Sequence, residues 1–312
     1  MTRAPTQNDV HTDGTTDAQE DPQAPPPPEG STWAEKIGTA VAQGPIYAVL
    51  VVVSLLWITP TLGLLVVSFR DAATNAAEGW WTVFGDLGQL TVEPYRALID
   101  NPAIIGSFFN TFWITIPTTI AVVIIASLAA YSFVFVRWRG RDVSFLIVVG
   151  LLVVPLQIGL IPIAQLYGRT GLFGSLTGVV LYHIGFGLPF AIFLMRNFFT
   201  GIPNELLEAA RLDGAGELKL FFKVVLPLGI PAVASLAIFQ FLWTWNDLLI
   251  ALVFAGPGNR PITVAIQQQT RQFGVNIDVI APGAFLSMII PLLVFFAFQR
   301  YFAQGLLAGS GK

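Results

Sequence analysis

The sequence predicts an all-α polytopic membrane protein with six transmembrane helices. Two properties of its 312 residues indicate this class: 54% are hydrophobic and only 11% are charged. The mean hydropathy of +0.69 points the same way. A helix needs about 20 largely apolar residues to cross the roughly 30 Å hydrocarbon core of a bilayer, because its backbone groups must be satisfied internally. Six stretches of the chain meet this requirement.

Residues 1–32 precede these stretches and have a different composition. They contain six acidic residues, one basic residue and the run Pro25 to Pro28, so they have little apolar surface to offset the entropy lost on ordering. We predict that they form a disordered, acidic, proline-rich cytoplasmic tail, and that residues 33–312 form the transmembrane domain. The other 15 basic and 13 acidic residues provide no broad basic surface, so nucleic acid is not an expected partner.

In chain order, the predicted spans cover residues 46–67, 108–136, 145–167, 175–199, 229–255 and 281–302. Each is a run of mainly aliphatic and aromatic residues. Several contain internal prolines, namely Pro60, Pro117, Pro155 with Pro162, Pro189 and Pro291. Membrane helices tolerate proline where neighbouring helices satisfy the freed carbonyl groups, so we expect kinked and closely packed helices.

The Lys and Arg residues between the spans predict the orientation. With the N-terminus in the cytoplasm, the cytoplasmic segments hold 11 basic residues and the outer segments hold five. The cluster Arg137, Arg139 and Arg141 weighs most, because short loops next to the membrane dominate the positive-inside rule. We therefore expect both termini in the cytoplasm. The long outer segments, 68–107 and 256–280, would lie at the membrane interface or contact another protein.

A polar segment between the fourth and fifth spans, residues 200–228, has the signals of a short soluble helix. Pro203 favours a helix start, Glu205 and Glu208 suit the positive end of the helix dipole, and Gly214 favours a left-handed end. A second amphipathic piece, residues 218–225, is expected to end at a proline, Pro227. Two short helices in a cytoplasmic loop have a shape that fits a groove on a partner.

The motifs in this segment resemble the EAA loop of binding-protein-dependent ABC importer permeases. The matching residues are Glu208-Ala209-Ala210, Asp213-Gly214-Ala215 and, ten residues later, Leu226-Pro227. Four further matches extend the resemblance to the carbohydrate, maltose-type group of these permeases: Ile202-Pro203, Trp245-Asn246-Asp247, Tyr301-Phe302 with Gly305-Leu306, and Gly309. The similarity covers about residues 45–312.

The resemblance implies a MetI-like type I importer fold in the inner membrane of a prokaryote. It implies that the loop is a coupling helix resting in a cleft of the ATP-binding subunit, where Glu208, Ala209, Ala210, Asp213 and Gly214 transmit ATPase closure. The implied partners are an ATP-binding subunit dimer, a second and non-identical permease, an extracytoplasmic solute-binding protein and the lipid bilayer. The implied solute is a sugar or oligosaccharide.

The chain shows no residues for chemistry of its own. It has no cysteine and only two histidines, His11 and His183, so we expect no catalytic dyad and no metal site. The segment from Gly305 to Lys312 has the wrong spacing for a phosphate-binding loop and lacks the Ser or Thr that follows the lysine. We therefore expect a protein that is not an enzyme and has no cofactor, with ATP and Mg²⁺ bound by partner subunits.

Trp245, Asn246 and Asp247 are candidate substrate-pathway residues in the fifth span. An aromatic face can stack on a sugar ring, while amide and carboxylate groups bond its hydroxyls. Adjacent helical residues point to different faces, so at most two can line one cavity. Packing or gating is the alternative, and for His183 the alternatives are pore lining and a hydrogen bond between helices.

Two other functions remain open at this stage. An ion-coupled secondary transporter would show internal repeats and paired intramembrane charges, whereas here no repeat is evident. A membrane scaffold would transport nothing. Dependence of solute uptake on ATP separates these possibilities.

Overall fold

A computed structural model of the chain describes residues 33–269 and 276–310. In chain order the helices are α1 (Trp33–Ser68), α2 (Ala72–Ala77), α3 (Glu93–Ile99), α4 (Pro102–Phe135), α5 (Arg141–Leu151), α6 (Leu156–Thr170), α7 (Leu176–Phe199), α8 (Asn204–Leu212), α9 (Glu217–Leu220), α10 (Leu226–Leu228), α11 (Ile230–Trp245), α12 (Leu249–Phe254), α13 (Ile262–Gln269) and α14 (Ile277–Ser310). Two short 3₁₀ helices, Trp80–Phe84 and Leu87–Gln89, and one π-helical turn, Phe221–Val225, complete the regular structure of these residues. The predicted tail, residues 1–32, lies outside the described residues.

The candidate membrane spans of the described residues are of two kinds, single long helices and bent pairs of helices. Four segments are individually long and apolar enough to cross a membrane: Gly44–Ser68, Pro102–Phe135, Leu176–Phe199 and Ile277–Gln299. Two pairs of helices meet the same test together but are bent, α5 with α6 by 98° and Glu217–Leu228 with α11 by 79°. If each bent pair is one span, the described residues hold six candidate spans, although the second pair begins at Glu217 and the fifth predicted span begins at residue 229.

The third predicted span, 145–167, is not one continuous helix. Its break lies between α5 and α6, just before Pro155, which has no N–H to continue a helix. The amides of Val153 and Val154 bond carbonyls only three residues back, at 3.2 Å each, so the last turn of α5 tightens before the chain turns. Proline thus breaks this span instead of only kinking it.

The fifth predicted span, 229–255, is also interrupted. α11 ends at Trp245 and α12 begins at Leu249. The carboxylate of Asp247 accepts hydrogen bonds from the amides of Ile250, at 3.3 Å, and Ala251, at 3.0 Å, and so satisfies donors in the first turn of α12. A side chain competing for backbone amides explains why the apolar run does not form one helix.

The described residues divide into two compact units, one that ends at Ile58 and one that begins at Thr59. In the first unit, every described side chain from 44 to 58 is exposed, including Trp57 and Leu56. An apolar helix exposed on all sides suits lipid or another membrane helix as its surroundings.

The second unit is held by a buried cluster at the crossing of α4, α7 and α11. Its members include Val122, Ala126, Ala130, Ala191, Met195, Phe199, Ala232 and Leu236, most of them fully buried. Alanine at several crossing positions lets helix backbones approach closely, which is how membrane helices gain packing energy.

The segment after α1 is organised around Arg70, whose side chain is fully buried. Its guanidinium donates to the carbonyl of Gly79 at 3.0 Å and lies 3.7 Å from the carboxylate of Glu78. Asp71 begins α2 by accepting a hydrogen bond from the Thr74 amide, which holds the pKa of that carboxyl below its usual value. These contacts give the segment after α1 a defined shape.

Candidate functional site

The segment 200–228, here called the elbow, joins α7 to α11 and contains α8, α9 and α10. Pro203 precedes the first residue of α8, as predicted. Within α8, the buried residue is Leu207, whose side chain is fully covered. The opposite face carries Glu205, Glu208, Ala209 and Leu212, which share one side of a helix by their spacing and are all exposed. α8 therefore lies on the bundle by one face and leaves the other uncovered.

Gly214 ends α8 in the left-handed conformation that the sequence predicts, with φ of +79°. The amide of Gly214 bonds the carbonyl of Arg211 and that of Ala215 bonds the carbonyl of Ala210, each at 3.0 Å. This pair of bonds is a Schellman motif, which satisfies carbonyls left free at a helix end. The end of α8 is therefore sharply defined.

The second half of the elbow also packs by one face. Leu220 and Val225 are fully buried and Phe221 nearly so, whereas Lys219 and Phe222 are exposed. The expected stop at Pro227 is one residue early, because α10 continues through this proline to Leu228 and the bend follows at the next residue. Pro227 lies within the continuous helical segment Glu217–Leu228, directly after the π-helical turn Phe221–Val225, and its missing N–H interrupts the backbone hydrogen bonds there.

The five residues expected to transmit ATPase closure do not all have the same environment. Glu208, Ala209, Asp213 and Gly214 are exposed. Ala210 is half-buried and packs against the buried cluster at the crossing of α4, α7 and α11. The motif therefore combines residues that a partner could touch with one that holds the elbow to its own bundle.

Sequence reasoning missed a polar cluster that joins the elbow to α4. The Tyr131 hydroxyl donates to Glu217 Oε2 at 2.5 Å. The Arg211 guanidinium donates to the same carboxylate at 3.1 to 3.3 Å and to the carbonyl of Phe135 at 3.3 Å. Opposite charges at 211 and 217 were visible in the sequence, but nothing there places Tyr131, 86 residues from Glu217, beside them.

The candidate pathway residues are separated by the end of α11. Trp245 is 1% exposed and packs against Phe112 and Phe241, while its indole N–H donates to the carbonyl of Ser287 in α14 at 3.0 Å. Asn246 is exposed and donates to the carbonyl of Leu242 at 2.8 Å. In this structure the tryptophan ring is therefore a packing element, and Asn246 is the exposed member of the three.

Asp247 lies between its own helix start and His183 of α7. His183 Nδ1 lies 2.9 Å from the carbonyl oxygen of Val179, so this nitrogen is the donor. Nε2 faces Asp247 Oδ2 at 3.5 Å, and both side chains are largely buried. The hydrogen bond that His183 makes therefore lies within α7, and its buried Nε2 has no hydrogen-bond partner among the described residues.

A cavity of about 280 Å³ lies between the bent α5–α6 pair and α7. Its lining is mainly apolar and includes Leu151, Ile163, Tyr182, Phe186 and Pro189. It does not include the candidate pathway residues. Among the described residues there is no group of three His, Asp or Glu side chains that could hold a metal ion.

Comparison with known proteins assigns the fold and the family. Over residues 42–307 the chain matches the family described as the binding-protein-dependent transport system inner membrane component. A crystal structure of a bacterial ABC transporter involved in the import of the acidic polysaccharide alginate contains a similar chain. The TM-score is 0.71 at 23% identity, and the match covers 88% of this chain and 99% of that one. At this identity the likeness is one of fold, and it confirms the predicted importer permease fold.

Two curated relatives are more similar in sequence. The osmoprotective compounds uptake permease protein GgtD of Synechocystis sp. is 42% identical over 273 residues, which cover 86% of this chain and 92% of GgtD. The alpha-glucoside transport system permease protein AglG of Rhizobium meliloti is 45% identical over 231 residues, covering 72% of this chain and 61% of AglG. With its helical bundle and the match over residues 42–307, this chain belongs to the family of inner membrane components of binding-protein-dependent transport systems.

Proposed function

We propose that this chain is one of two non-identical transmembrane subunits of an ATP-driven importer for a sugar or oligosaccharide, with α8 as the helix that two ATPase subunits move. The observation that carries this proposal is the two-sided environment of α8. Leu207 anchors one face, while Glu208, Ala209 and Leu212 on the other face are exposed.

The exposed face has the chemistry of a docking surface. Leu212 is 90% exposed and offers apolar area to a partner, and Ala209 allows a partner backbone to approach closely. Glu208 and Asp213 can form charge-assisted hydrogen bonds to a partner. With both termini in the cytoplasm, this face would meet ATPase subunits there, and ATP and Mg²⁺ would be bound by those subunits.

The proposed solute class rests on the relatives and on the polar groups near the end of α11. AglG is named for α-glucoside transport, and a glucose import permease, GlcU of Saccharolobus solfataricus, is 30% identical over 276 residues. The exposed amide of Asn246 could bond sugar hydroxyls. Because Trp245 is buried, any aromatic stacking on the sugar would come from another side chain or from the second permease.

The proposed cycle is alternating access. An external binding protein delivers the solute at the outer segments, and the ATPase subunits close on ATP and drag α8 with them. α7 and α11, which flank the elbow in the chain, then reorient and open the pathway outward. ATP hydrolysis resets the assembly and releases the solute inward.

The test is purification of the complex expressed with its neighbouring subunits, comparing Glu208→Lys with Glu93→Lys. Glu93 is a matched control, because it is an exposed glutamate near the start of a short helix in the outer segment. We expect Glu208→Lys to lose the ATPase subunits or ATP-driven uptake while Glu93→Lys retains the ATPase subunits. Wild-type ATPase recovery and uptake in Glu208→Lys would contradict the coupling role. Uptake driven by an ion gradient without ATP would favour the secondary transporter.

A further inference from the structure

The elbow has covalent links to two membrane helices and none to the third helix of the bundle. Its ends continue directly into α7 and α11. α4 packs with both of these helices in the central cluster, yet 64 residues separate its end from the start of the elbow. Any motion that the elbow passes directly to α4 must therefore travel through non-covalent contacts.

Three side chains form such a contact, and each has a different position. Arg211 is in α8, Glu217 begins α9 and Tyr131 is in the last two turns of α4. The carboxylate of Glu217 accepts from the tyrosine hydroxyl at 2.5 Å and from the guanidinium at 3.1 to 3.3 Å. One carboxylate thus joins both halves of the elbow to a membrane helix.

Arg211 makes a second attachment to the end of α4. Its guanidinium donates to the carbonyl of Phe135, the last residue of that helix, at 3.3 Å. Carbonyls in the last turn of a helix lack an intrahelical partner, and the helix dipole favours a cation there. The elbow therefore bonds α4 at two points, the Tyr131 side chain and the backbone carbonyl of Phe135.

The strength of this cluster does not come from the ion pair alone. The Arg211 and Glu217 side chains are 37% and 50% exposed, and pairs this exposed contribute little by themselves. Tyr131, by contrast, is 5% exposed, so its hydroxyl would be left without this partner if Glu217 moved away. The hydrogen bonds are directional, whereas the apolar packing beside them tolerates sliding.

The ion pair also spans the turn between the two halves of the elbow. That turn contains Gly214 and Gly216, and glycine gives a chain its greatest backbone freedom. A bond between side chains on either side of the turn opposes bending there. With it, α8 and α9 can move as one body.

We infer that Arg211, Glu217 and Tyr131 form a tie that makes the cytoplasmic end of α4 follow the elbow when ATPase subunits move α8. The inference rests on the proposed function. The three are positioning residues, because none is placed to touch ATP or solute. Their role is to add α4 to the two helices that the elbow already moves through the chain.

Spin-label distances in the full transporter test this tie without knowledge of the solute. This chain has no cysteine, so Arg139→Cys, just after α4, and Lys219→Cys, in α9, are its two labelled positions once any cysteines of the partner subunits are replaced. Both positions are exposed. The distance between them is measured in membranes without nucleotide and with ATP and vanadate. In otherwise wild-type protein we expect the same distance in both states, because the tie keeps α4 and α9 together.

Breaking the tie should uncouple the two positions. In Tyr131→Phe and in Glu217→Ala we expect a nucleotide-dependent shift of about 1–5 Å, the range from small helix shifts to a displacement by about one turn. Glu217→Ala serves if Tyr131→Phe folds poorly, because Glu217 is half-exposed. The matched control is Tyr182→Phe, which removes another buried hydroxyl. That hydroxyl donates to the carbonyl of Leu156 at 2.6 Å, and neither residue belongs to the elbow. It should behave as wild type.

Each result has one meaning. A nucleotide-dependent change in wild type, or an unchanged distance in both tie variants, would overturn the tie and leave the proposed function standing. Failure of ATPase subunits to purify with the wild-type chain would instead overturn the proposed function, and the tie with it.

Discussion

Replacing Leu207 by alanine should loosen α8 more than any exposed change in this helix. Leu207 is fully buried in the cluster that also contains Phe199, Leu220 and Phe221. A helix of nine residues is marginal by itself, so α8 depends on this anchor. Truncating a buried leucine costs about 2–5 kcal/mol, the sum of lost burial and the cavity that remains.

That cost should appear as faster amide hydrogen exchange in α8. The amides of residues 208–212 exchange only when the helix opens, and their rate follows the opening equilibrium. Because about 1.4 kcal/mol corresponds to a factor of ten, the loss of the anchor should accelerate exchange at least roughly 30-fold. The measurement is hydrogen exchange with mass spectrometry on the chain in detergent, separated from ATPase subunits.

Leu206→Ala is the matched control, since it makes the same change one residue earlier at a side chain that is 46% exposed. Surface substitutions usually change stability by about 0.5 kcal/mol or less, so exchange there should change less than about threefold. Equal acceleration in both variants would refute the reasoning, because it would mean that burial of Leu207 does not hold α8.

Three further outcomes follow from local geometry. Gly214→Ala should destabilise the end of α8 by about 1 kcal/mol, because φ of Gly214 is +79°. Gly216→Ala is the control and should leave the end of α8 unchanged, because φ of Gly216 is −76°. Hydrogen exchange of the α8 amides measures both effects. Gly178→Ala should lower thermal stability by about 1–3 kcal/mol, because its Cβ would lie 2.4 Å from a backbone carbonyl oxygen, while Gly185→Ala in the same helix should be tolerated. Since the folded-state pKa of Asp71 is lowered, its stabilisation of α2 should be lost as pH falls through that pKa, so protection of the α2 amides relative to their intrinsic exchange rates should fall in acid, a change that Asp71→Asn does not show.

Several local features could be predicted from the sequence because short-range chemistry determines them. Pro203 and Gly214 fix the two ends of α8 through their own backbone preferences, and the structure has both. The family motif was readable for the same reason, since its residues lie within eight positions of each other.

The breaks within spans were harder to predict from composition. Pro155 was expected to kink a helix, yet α5 and α6 meet at 98°. Whether a proline kinks or breaks a membrane helix depends on which neighbours satisfy the freed groups. The environment of Trp245 was likewise undecided, because its partners Phe112 and Ser287 lie in two other helices.

By itself the sequence determined that the chain is an all-α membrane protein with a polar elbow between its fourth and fifth spans. Hydrophobic length and local capping residues are sufficient for that conclusion. Only the tertiary structure decided which residues of the elbow face outward, and that Glu217 meets Tyr131. Contacts between residues far apart in the chain depend on how helices pack, and the sequence pattern of a single helix does not specify its neighbours.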